Sequence, residues 1–298
     1  MRAVRLVPLL LAAAGCGKEF TPRSVVVDTR VLAIVAAPLE VGPSDSVTLT
    51  AWRVGPPGGA IASERWSFCP FSVGATAGYA CAVPECEDGI PLPPPALATA
   101  YGPSNPLTAS PGQLAQQCLA LLSASGALPA GVPAQLPDRV EVLFRYRVTA
   151  AGSVAREAVQ RIPLYLAGAP ADPNVAPGIA SVAIGAPTDV VWASGASTGL
   201  VPVLRSGETL DVEVLLAPGS AQTYVEGDRT LTEQLVVSFY TTAGRFDYDW
   251  ANGPDAKVKL EGKDLAAGTA AATVWVVARD LRGGETVAGP IALSVVAP

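Results

Sequence analysis

Along most of the chain, apolar and polar residues alternate in short runs, which is the pattern of β-strands that bury one face. Residues 140–148 are the clearest case, because their valines and aromatic residues would face one side and most of their charged residues the other. The same alternation occurs at 46–51, 210–216, 234–240 and 273–278. Short strands of this kind, separated by turns rich in glycine and proline, predict an all-β protein.

The two halves of the chain repeat one order of predicted elements. Each half has a leading strand, a turn into a second strand, a short aromatic strand and a closing hairpin, at 30–35, 42–49, 65–68 and 140–166 in the first half and at 179–184, 206–212, 237–240 and 272–297 in the second. Residues 168–178 are rich in proline and glycine and have no period, which indicates a linker. We therefore predict two tandem Ig-like β-sandwiches of about seven strands each, at 25–167 and 179–298.

The N-terminal segment has the organisation of a secretory signal peptide. Two arginines precede an apolar run at 6–14, and small residues then lead to Cys16. The apolar run is too short to span a bilayer, which takes about 20 residues. The sequence therefore predicts export, with a signal peptide at 1–15.

The end of this segment, Ala13-Ala14-Gly15-Cys16, resembles the lipobox of bacterial lipoproteins. The resemblance implies cleavage before Cys16, acylation of that cysteine and a lipidated tether at 16–24. Gly17 stands where enterobacterial lipoproteins retained in the inner membrane have aspartate. We therefore expect a lipid anchor in the outer membrane, on either its periplasmic or its cell-surface face.

A long insertion, at about 70–137, interrupts the first predicted sandwich between Cys69 and Asp138. It contains one predicted helix, with Ser110 as N-cap and Pro111 as the first helical residue; the apolar residues at helical spacing are Leu114, Cys118, Leu121 and Leu122. Insertions of this length are often functional. Two interpretations stay open: a surface decoration that buries little apolar surface, or a lobe that binds a partner.

Four of the five cysteines lie in or beside the insertion, namely Cys69, Cys81, Cys86 and Cys118. An even number of cysteines in an exported chain predicts two disulfides, which would tie the insertion down. Sequence alone does not choose among the three pairings. Zinc is disfavoured because the chain has no CxxC pair and no histidine, so we expect no metal ligands here.

Composition argues against several classes of function. A net charge of −6 with no basic block is not typical of a nucleic-acid-binding protein. The absence of histidine removes the usual general base of serine and cysteine hydrolases. The segment Gly195-Ala196-Ser197-Thr198-Gly199 matches GxSxG, but a nucleophile elbow also requires a strand before it, a helix after it and a histidine partner. We therefore predict a protein that is not an enzyme and has no cofactor.

Two further sets of residues are candidates for binding. Four aspartates could gather into a calcium site near one end of the second sandwich, although solvated turn acids that cap their own backbone are the favoured interpretation: Asp247, Asp249, Asp255 and Asp280. Five tryptophans could stack on sugars, although packing in the core or at its rim is more common: Trp52, Trp66, Trp192, Trp250 and Trp275.

Beyond the lipobox, the chain resembles the Ig-like and PKD-like modules of large myxobacterial-type lipoproteins, through residues 31–35 followed by Pro38 and residues 276–280 followed by Gly283-Gly284. It lacks the paired cysteines that true immunoglobulin domains carry on facing strands. The resemblance implies a lipid-anchored, non-enzymatic envelope or surface protein with a structural, adhesive or assembly role, whose partners are the membrane and other envelope proteins. The alternative is a surface lipoprotein that binds a glycan or peptide through the insertion or the loop around Trp250.

Overall fold

The computed structural model describes residues 21–90, 92–93, 101–104, 106–125 and 137–298. A first sandwich is formed by seven strands: β1 (Arg30–Ala37), β2 (Val47–Val54), β3 (Ile61–Cys69), β4 (Gly102–Pro103), β5 (Leu107–Ala109), β6 (Arg139–Ala150) and β7 (Arg156–Tyr165). In one sheet, β2 pairs with β1 on one side and with β4 and β5 on the other; the second sheet has the order β3-β6-β7. All of these pairs are antiparallel.

Helices occupy part of the insertion between β3 and β6. After a 3-10 turn at Ala75–Ala77 come α1 (Pro84–Gly89) and α2 (Pro111–Ser125). Helix α2 is the predicted helix and begins at Pro111, whereas α1 was not predicted. The backbone N–H of Leu114 donates to the carbonyl of Ser110, but the buried Ser110 hydroxyl makes no hydrogen bond to the described residues. Leu121, predicted on the apolar side of α2, is 44% exposed.

The second sandwich follows after residue 178. Its strands are β8 (Ile179–Ile184), β9 (Val190–Ala193), β10 (Ala196–Ser197), β11 (Val203–Arg205), β12 (Thr209–Leu216), β13 (Thr223–Glu226), β14 (Arg229–Thr232), β15 (Val236–Thr241), β16 (Arg245–Phe246), β17 (Trp250–Asn252), β18 (Asp255–Glu261), β19 (Ala271–Arg279) and β20 (Glu285–Val296). One sheet has the order β10-β9-β8-β12-β18-β16, and the other β11-β20-β19-β15-β17. Strands β13 and β14 form a separate hairpin.

The two sandwiches share one pairing scheme. In each, the leading strand pairs with the second strand, which also pairs with a later one, as in β1-β2-β5 and β8-β12-β18. The facing sheets are β3-β6-β7 and β15-β19-β20. This division of strands is that of an immunoglobulin-like sandwich. The predicted all-β fold of two tandem Ig-like β-sandwiches is therefore confirmed, and β3 corresponds to β15 as the aromatic segments at 65–68 and 237–240 predicted.

Each sandwich has its own apolar core. In the first, Trp66 stacks at a tilt on Tyr146 with ring centroids 4.8 Å apart, and Phe68 packs on Phe144 at 5.3 Å. In the second, aliphatic side chains from both sheets surround Phe239. Because alternate residues of a strand face opposite sides, the buried Phe144, Tyr146 and Val148 follow the alternation predicted for β6.

The insertion completes the first core, which corrects the expectation that it buries little apolar surface. Val83, Ile90, Leu107, Leu114 and Leu122 are all buried in that core, together with two of the cysteines. Strand β5 also pairs with β2 and so belongs to the sandwich itself. Outside α2, the short apolar runs of the insertion are separated by prolines and glycines, so they show neither a strand nor a helix period in the sequence.

Candidate functional site

Two disulfides hold the insertion against the sandwich. Cys69, at the end of β3, is bonded to Cys81 with Cα atoms 5.7 Å apart, and Cys86 of α1 is bonded to Cys118 of α2 with Cα atoms 5.2 Å apart. Both distances are ordinary for a disulfide. Of the three pairings left open by the sequence, this is the sequential one. The second bond is fully buried and joins the two helices inside the core.

Removing the buried disulfide is expected to cost stability without preventing folding. Cys86→Ala with Cys118→Ala should lower the free energy of unfolding by about 4 kcal/mol, since the unfolded chain regains the entropy of a loop closed over 32 residues. Urea unfolding followed by tryptophan fluorescence measures this. The matched control is Cys69→Ala with Cys81→Ala, whose loop spans 12 residues and should give a smaller loss. A larger loss from the shorter loop would contradict this account.

A buried ion pair lies inside the first sandwich. Arg53 of β2 and Glu64 of β3 are in direct contact, and their side chains are only 1% and 0% exposed. Arg53 also donates to the carbonyl of Gly102 at 3.1 Å, which ties β4 to this pair. Burial raises the pKa of Glu64, while the Arg53 guanidinium opposes that rise. Burial, together with the nearby Glu64 carboxylate, raises the pKa of Tyr146.

The segment predicted as a linker is held at a joint between the two sandwiches. Asn174 is buried there, and its backbone N–H donates to the Glu40 carboxylate of the first sandwich at 2.9 Å. Its side-chain amide donates to Asp280 of the second sandwich at 3.0 Å. One residue of the linker therefore bonds to both sandwiches, and residues 168–178 form no strand.

Asp280 is the centre of the polar side of this joint. One carboxylate oxygen, Oδ2, accepts from Asn174, and the other, Oδ1, accepts from the backbone N–H groups of Arg282 and Gly284, at 2.7 and 2.8 Å. It is 1% exposed, which corrects the expectation of a solvated turn acid, although the predicted backbone capping is present. A Cβ at Gly284 would lie 2.1 Å from an Asp280 oxygen, so only glycine fits there.

Arg282 extends the polar side of the joint across both sandwiches. Its guanidinium lies 2.7 Å from the buried carboxylate of Glu233 and 3.6 Å from that of Glu40. The same group stacks over Tyr224 at 4.3 Å from the ring centroid. Glu40 also accepts from the Tyr165 hydroxyl, and burial with this carboxylate raises the pKa of Tyr165. The joint thus has paired charges with mutual hydrogen bonds, as buried charges require.

The other side of the joint is apolar. Residues of the N-terminal segment, β1, β2, β19 and β20 form one buried cluster, consisting of Val26, Leu32, Ala33, Val54, Trp275, Val277 and Val287. Trp52 and Tyr240 are partly buried against it. Because none of these side chains belongs to the core of either sandwich, the cluster exists only where the two sandwiches meet.

Side chains of the second sandwich also complete the free edge of β1. Among the described strands, β1 pairs with β2 alone, so its outer edge has backbone groups that need partners. The Glu285 carboxylate accepts from the backbone N–H of Ile34 at 2.6 Å, and Arg279 donates to the carbonyl of Leu32. Arg279 and Glu285 form an ion pair at 2.7 Å. The two sandwiches are therefore joined by apolar packing, buried charges and edge hydrogen bonds.

A second feature is an aromatic edge where the N-terminal segment meets the second sandwich. The backbone of Ser24 and Val26 bonds to Thr241 of β15 at 2.8 Å, and the N–H of Ser24 donates to Asp249 at 3.3 Å. Ser24, predicted as the end of a tether, is fully buried. Beside it lies an open cleft of about 840 Å3, lined by Arg23, Arg245, Tyr248 and Trp250 among others.

The predicted calcium ligands do not come together. Asp247 accepts from the backbone N–H of Lys259 at 2.8 Å, Asp249 from that of Ser24, and Asp280 lies at the joint. Asp255 is exposed at the start of β18. Within the described ranges, no three His, Cys, Asp or Glu residues form a group that could hold a metal ion. Each of the three bonded carboxylates instead accepts a hydrogen bond from a backbone N–H group.

Of the other predicted site residues, most tryptophans pack inside the protein and the GxSxG serine lies at a sheet edge. Trp66 and Trp192 are buried in the two cores, Trp52 and Trp275 lie in the joint, and Trp250 is 56% exposed. Ser197 lies in the exposed two-residue strand β10 at the edge of a sheet, and its hydroxyl accepts from the N–H of Gly199, so the GxSxG segment is not a nucleophile elbow. Cys16, with its predicted lipid, lies outside the described residues. No helix in the described part of the chain is both long and apolar enough to span a bilayer.

No protein-family model and no curated protein matches this chain. Among solved structures, it is similar to the N-terminal Ig1-2 module of the Drosophila receptor protein tyrosine phosphatase DLAR, with 12% identity, a TM-score of 0.25 and coverage of 91% of this chain and 99% of that one. It is also similar to the fibronectin(III)-like modules of Clostridium thermocellum CbhA, with 10% identity, a TM-score of 0.24 and coverage of 90% and 93%. A third likeness is to the D00-D0 domain of intimin, with 11% identity, a TM-score of 0.24 and coverage of 91% and 100%. Likenesses of this size say nothing about what this chain does.

Proposed function

We propose that this protein is a lipid-anchored, non-enzymatic structural module of the bacterial outer membrane. Acyl chains on Cys16 fix it to the bilayer, and its two sandwiches act together as one stiff body that holds a fixed position for assembly with other envelope proteins. The non-enzymatic part of this proposal is supported by the absence of histidine in the sequence. Its other parts are supported by the lipobox and by the joint.

The joint is the observation that carries the structural role. Tandem domains with small interfaces move relative to each other by default. Here the connecting segment is bonded through Asn174 to both sandwiches, and an apolar cluster and edge hydrogen bonds add to that connection. A module that keeps a partner at a set distance and direction needs such stiffness. A pair of domains that must close on a ligand needs the opposite.

The anchor is tested by replacing the acylated residue. In cells fed radioactive palmitate, Cys16→Ser should abolish labelling of the protein and leave its precursor unprocessed, because the thiol that receives the lipid is gone. Globomycin, which blocks the lipoprotein signal peptidase, should likewise cause the precursor of the unchanged protein to accumulate. Labelled protein on a denaturing gel is the measurement.

The matched control is the pair Cys86→Ala with Cys118→Ala, which removes two thiols far along the chain and should keep full labelling. If Cys16→Ser is labelled as strongly as the unchanged protein, the lipid is elsewhere or absent and the anchor is refuted. Fractionation with the inner rather than the outer membrane would refute the location alone.

A further inference from the structure

The aromatic edge has a definite relation to the proposed anchor. Cys16 precedes Thr21, the first described residue, by five positions, and an extended chain covers at most about 3.5 Å per residue. The acylated residue is thus within about 17 Å of Thr21. Since the lipid chains of Cys16 lie in the bilayer, the surface around Thr21 has to lie close to it.

The N-terminal segment leaves the fold from the second sandwich. Although the chain continues into β1 of the first sandwich, Ser24 and Val26 are bonded to Thr241 of β15, and Ser24 is also bonded to Asp249. The clefts on either side of the exit both include Pro22 and Arg245 in their lining. The tether therefore emerges in the middle of one surface of the second sandwich. We call this surface the tether face and define it by Arg23, Val27, Arg245, Tyr248, Trp250 and Lys263.

The tether face combines exposed aromatic rings with charges, two of which are paired with Glu261. Tyr248 is 68% exposed and Trp250 56%, and Val27 is also exposed. Arg245 and Lys263 both contact the Glu261 carboxylate, at 3.4 and 2.9 Å. Asp249 is occupied by the N–H of Ser24. The rings and the exposed Arg23 side chain are therefore the groups of this face that are available for binding.

We propose that the tether face rests on the surface of the bilayer, with Trp250 and Tyr248 inserted among the lipid head groups. Tryptophan and tyrosine favour this zone because each ring has an apolar body and a polar tip. A short tether keeps the tether face at a high effective concentration next to the membrane, so that the face stays bound to the bilayer even if its own affinity for lipid is weak. This inference rests on the proposed anchor at Cys16, and it fixes which side of the second sandwich faces the membrane.

Fluorescence quenching by brominated lipid tests the contact. The lipidated full-length mature protein is reconstituted in phosphatidylethanolamine and phosphatidylglycerol vesicles, with or without bromine near the head of the acyl chains. Brominated vesicles should reduce the total tryptophan emission by at most the part that Trp250, one of the five tryptophans, contributes to it. Trp250→Phe should lose this quenching, because the other four tryptophans are buried or partly buried. Trp192→Phe, which removes a buried tryptophan, should keep it.

The outcomes separate this inference from the anchor. If the protein floats with the vesicles but bromine leaves its emission unchanged, the membrane contact is refuted and the anchor stands. If the protein with its native sequence does not float with the vesicles and carries no palmitate, the anchor is refuted, and the membrane contact that depends on it is refuted as well. If soluble peptidoglycan fragments shift Trp250 emission while brominated lipid does not, the face binds glycan, as in the alternative function, and the membrane contact is refuted.

Discussion

Replacing Glu64 with glutamine should lower the free energy of unfolding by about 3 to 5 kcal/mol. Arg53 would keep its charge in a site where its side chain is 1% exposed, with no carboxylate to compensate it. The loss reflects that stranded charge rather than the strength of the pair itself. Urea unfolding followed by tryptophan fluorescence, with Trp66 beside the site, measures it.

Two further variants make this prediction specific. The double change Arg53→Met with Glu64→Leu removes both charges and should recover most of the loss, because apolar residues of similar volume often replace a buried pair without cost. Glu213→Gln breaks the exposed pair with Lys257, whose charged atoms are 2.9 Å apart, and should change stability by less than about 1 kcal/mol. If Glu64→Gln is as mild as Glu213→Gln, Glu64 is protonated in the folded state and the pair is not ionic.

Local patterns predicted the longer helix and most strands of six or more residues, but not β18 or the shorter strands. The alternation at 140–148 identified β6, and a serine-proline start with helical spacing identified α2 at Pro111–Ser125. The repeated order of elements in the two halves also predicted two sandwiches of the same kind, since each half has the same short-range pattern. These signals need only neighbouring residues, so one sequence is enough to read them.

The joint could not be predicted in the same way. The bond between Ile34 and Glu285 links residues 251 positions apart, and that between Asn174 and Glu40 links residues 134 apart. Trp275 in the joint and Trp66 in a core both lie on strands, and nothing in their local sequence says which sheet face will be covered. Asp280 likewise has the sequence context of a solvated turn acid, and only the docking of the first sandwich buries it.

Replacing Asp280 with alanine should lower the free energy of unfolding by about 3 to 5 kcal/mol and loosen the joint. Two buried donors, the N–H of Gly284 and the side-chain amide of Asn174, and the partly buried N–H of Arg282 would lose their acceptor. A buried donor left unpaired costs about 1 to 3 kcal/mol. The unchanged protein should melt in one transition because its sandwiches stabilise each other. The variant should melt in two, which differential scanning calorimetry resolves.

Asp280→Asn is the matched control, because it keeps nearly the same shape. Its carbonyl oxygen can still accept from Arg282 and Gly284. Its amide can donate to the side-chain oxygen of Asn174 once the Asn174 amide turns over, since that oxygen has no hydrogen-bond partner among the described residues. We therefore expect one transition and a loss well below that of the alanine variant. Small-angle scattering of the two variants then distinguishes stiffness from stability: Asp280→Ala should give a broader distribution of interatomic distances than Asp280→Asn. If both variants scatter like the unchanged protein, the polar side of the joint does not hold the sandwiches in place, and the stiff-module function loses the observation on which it rests.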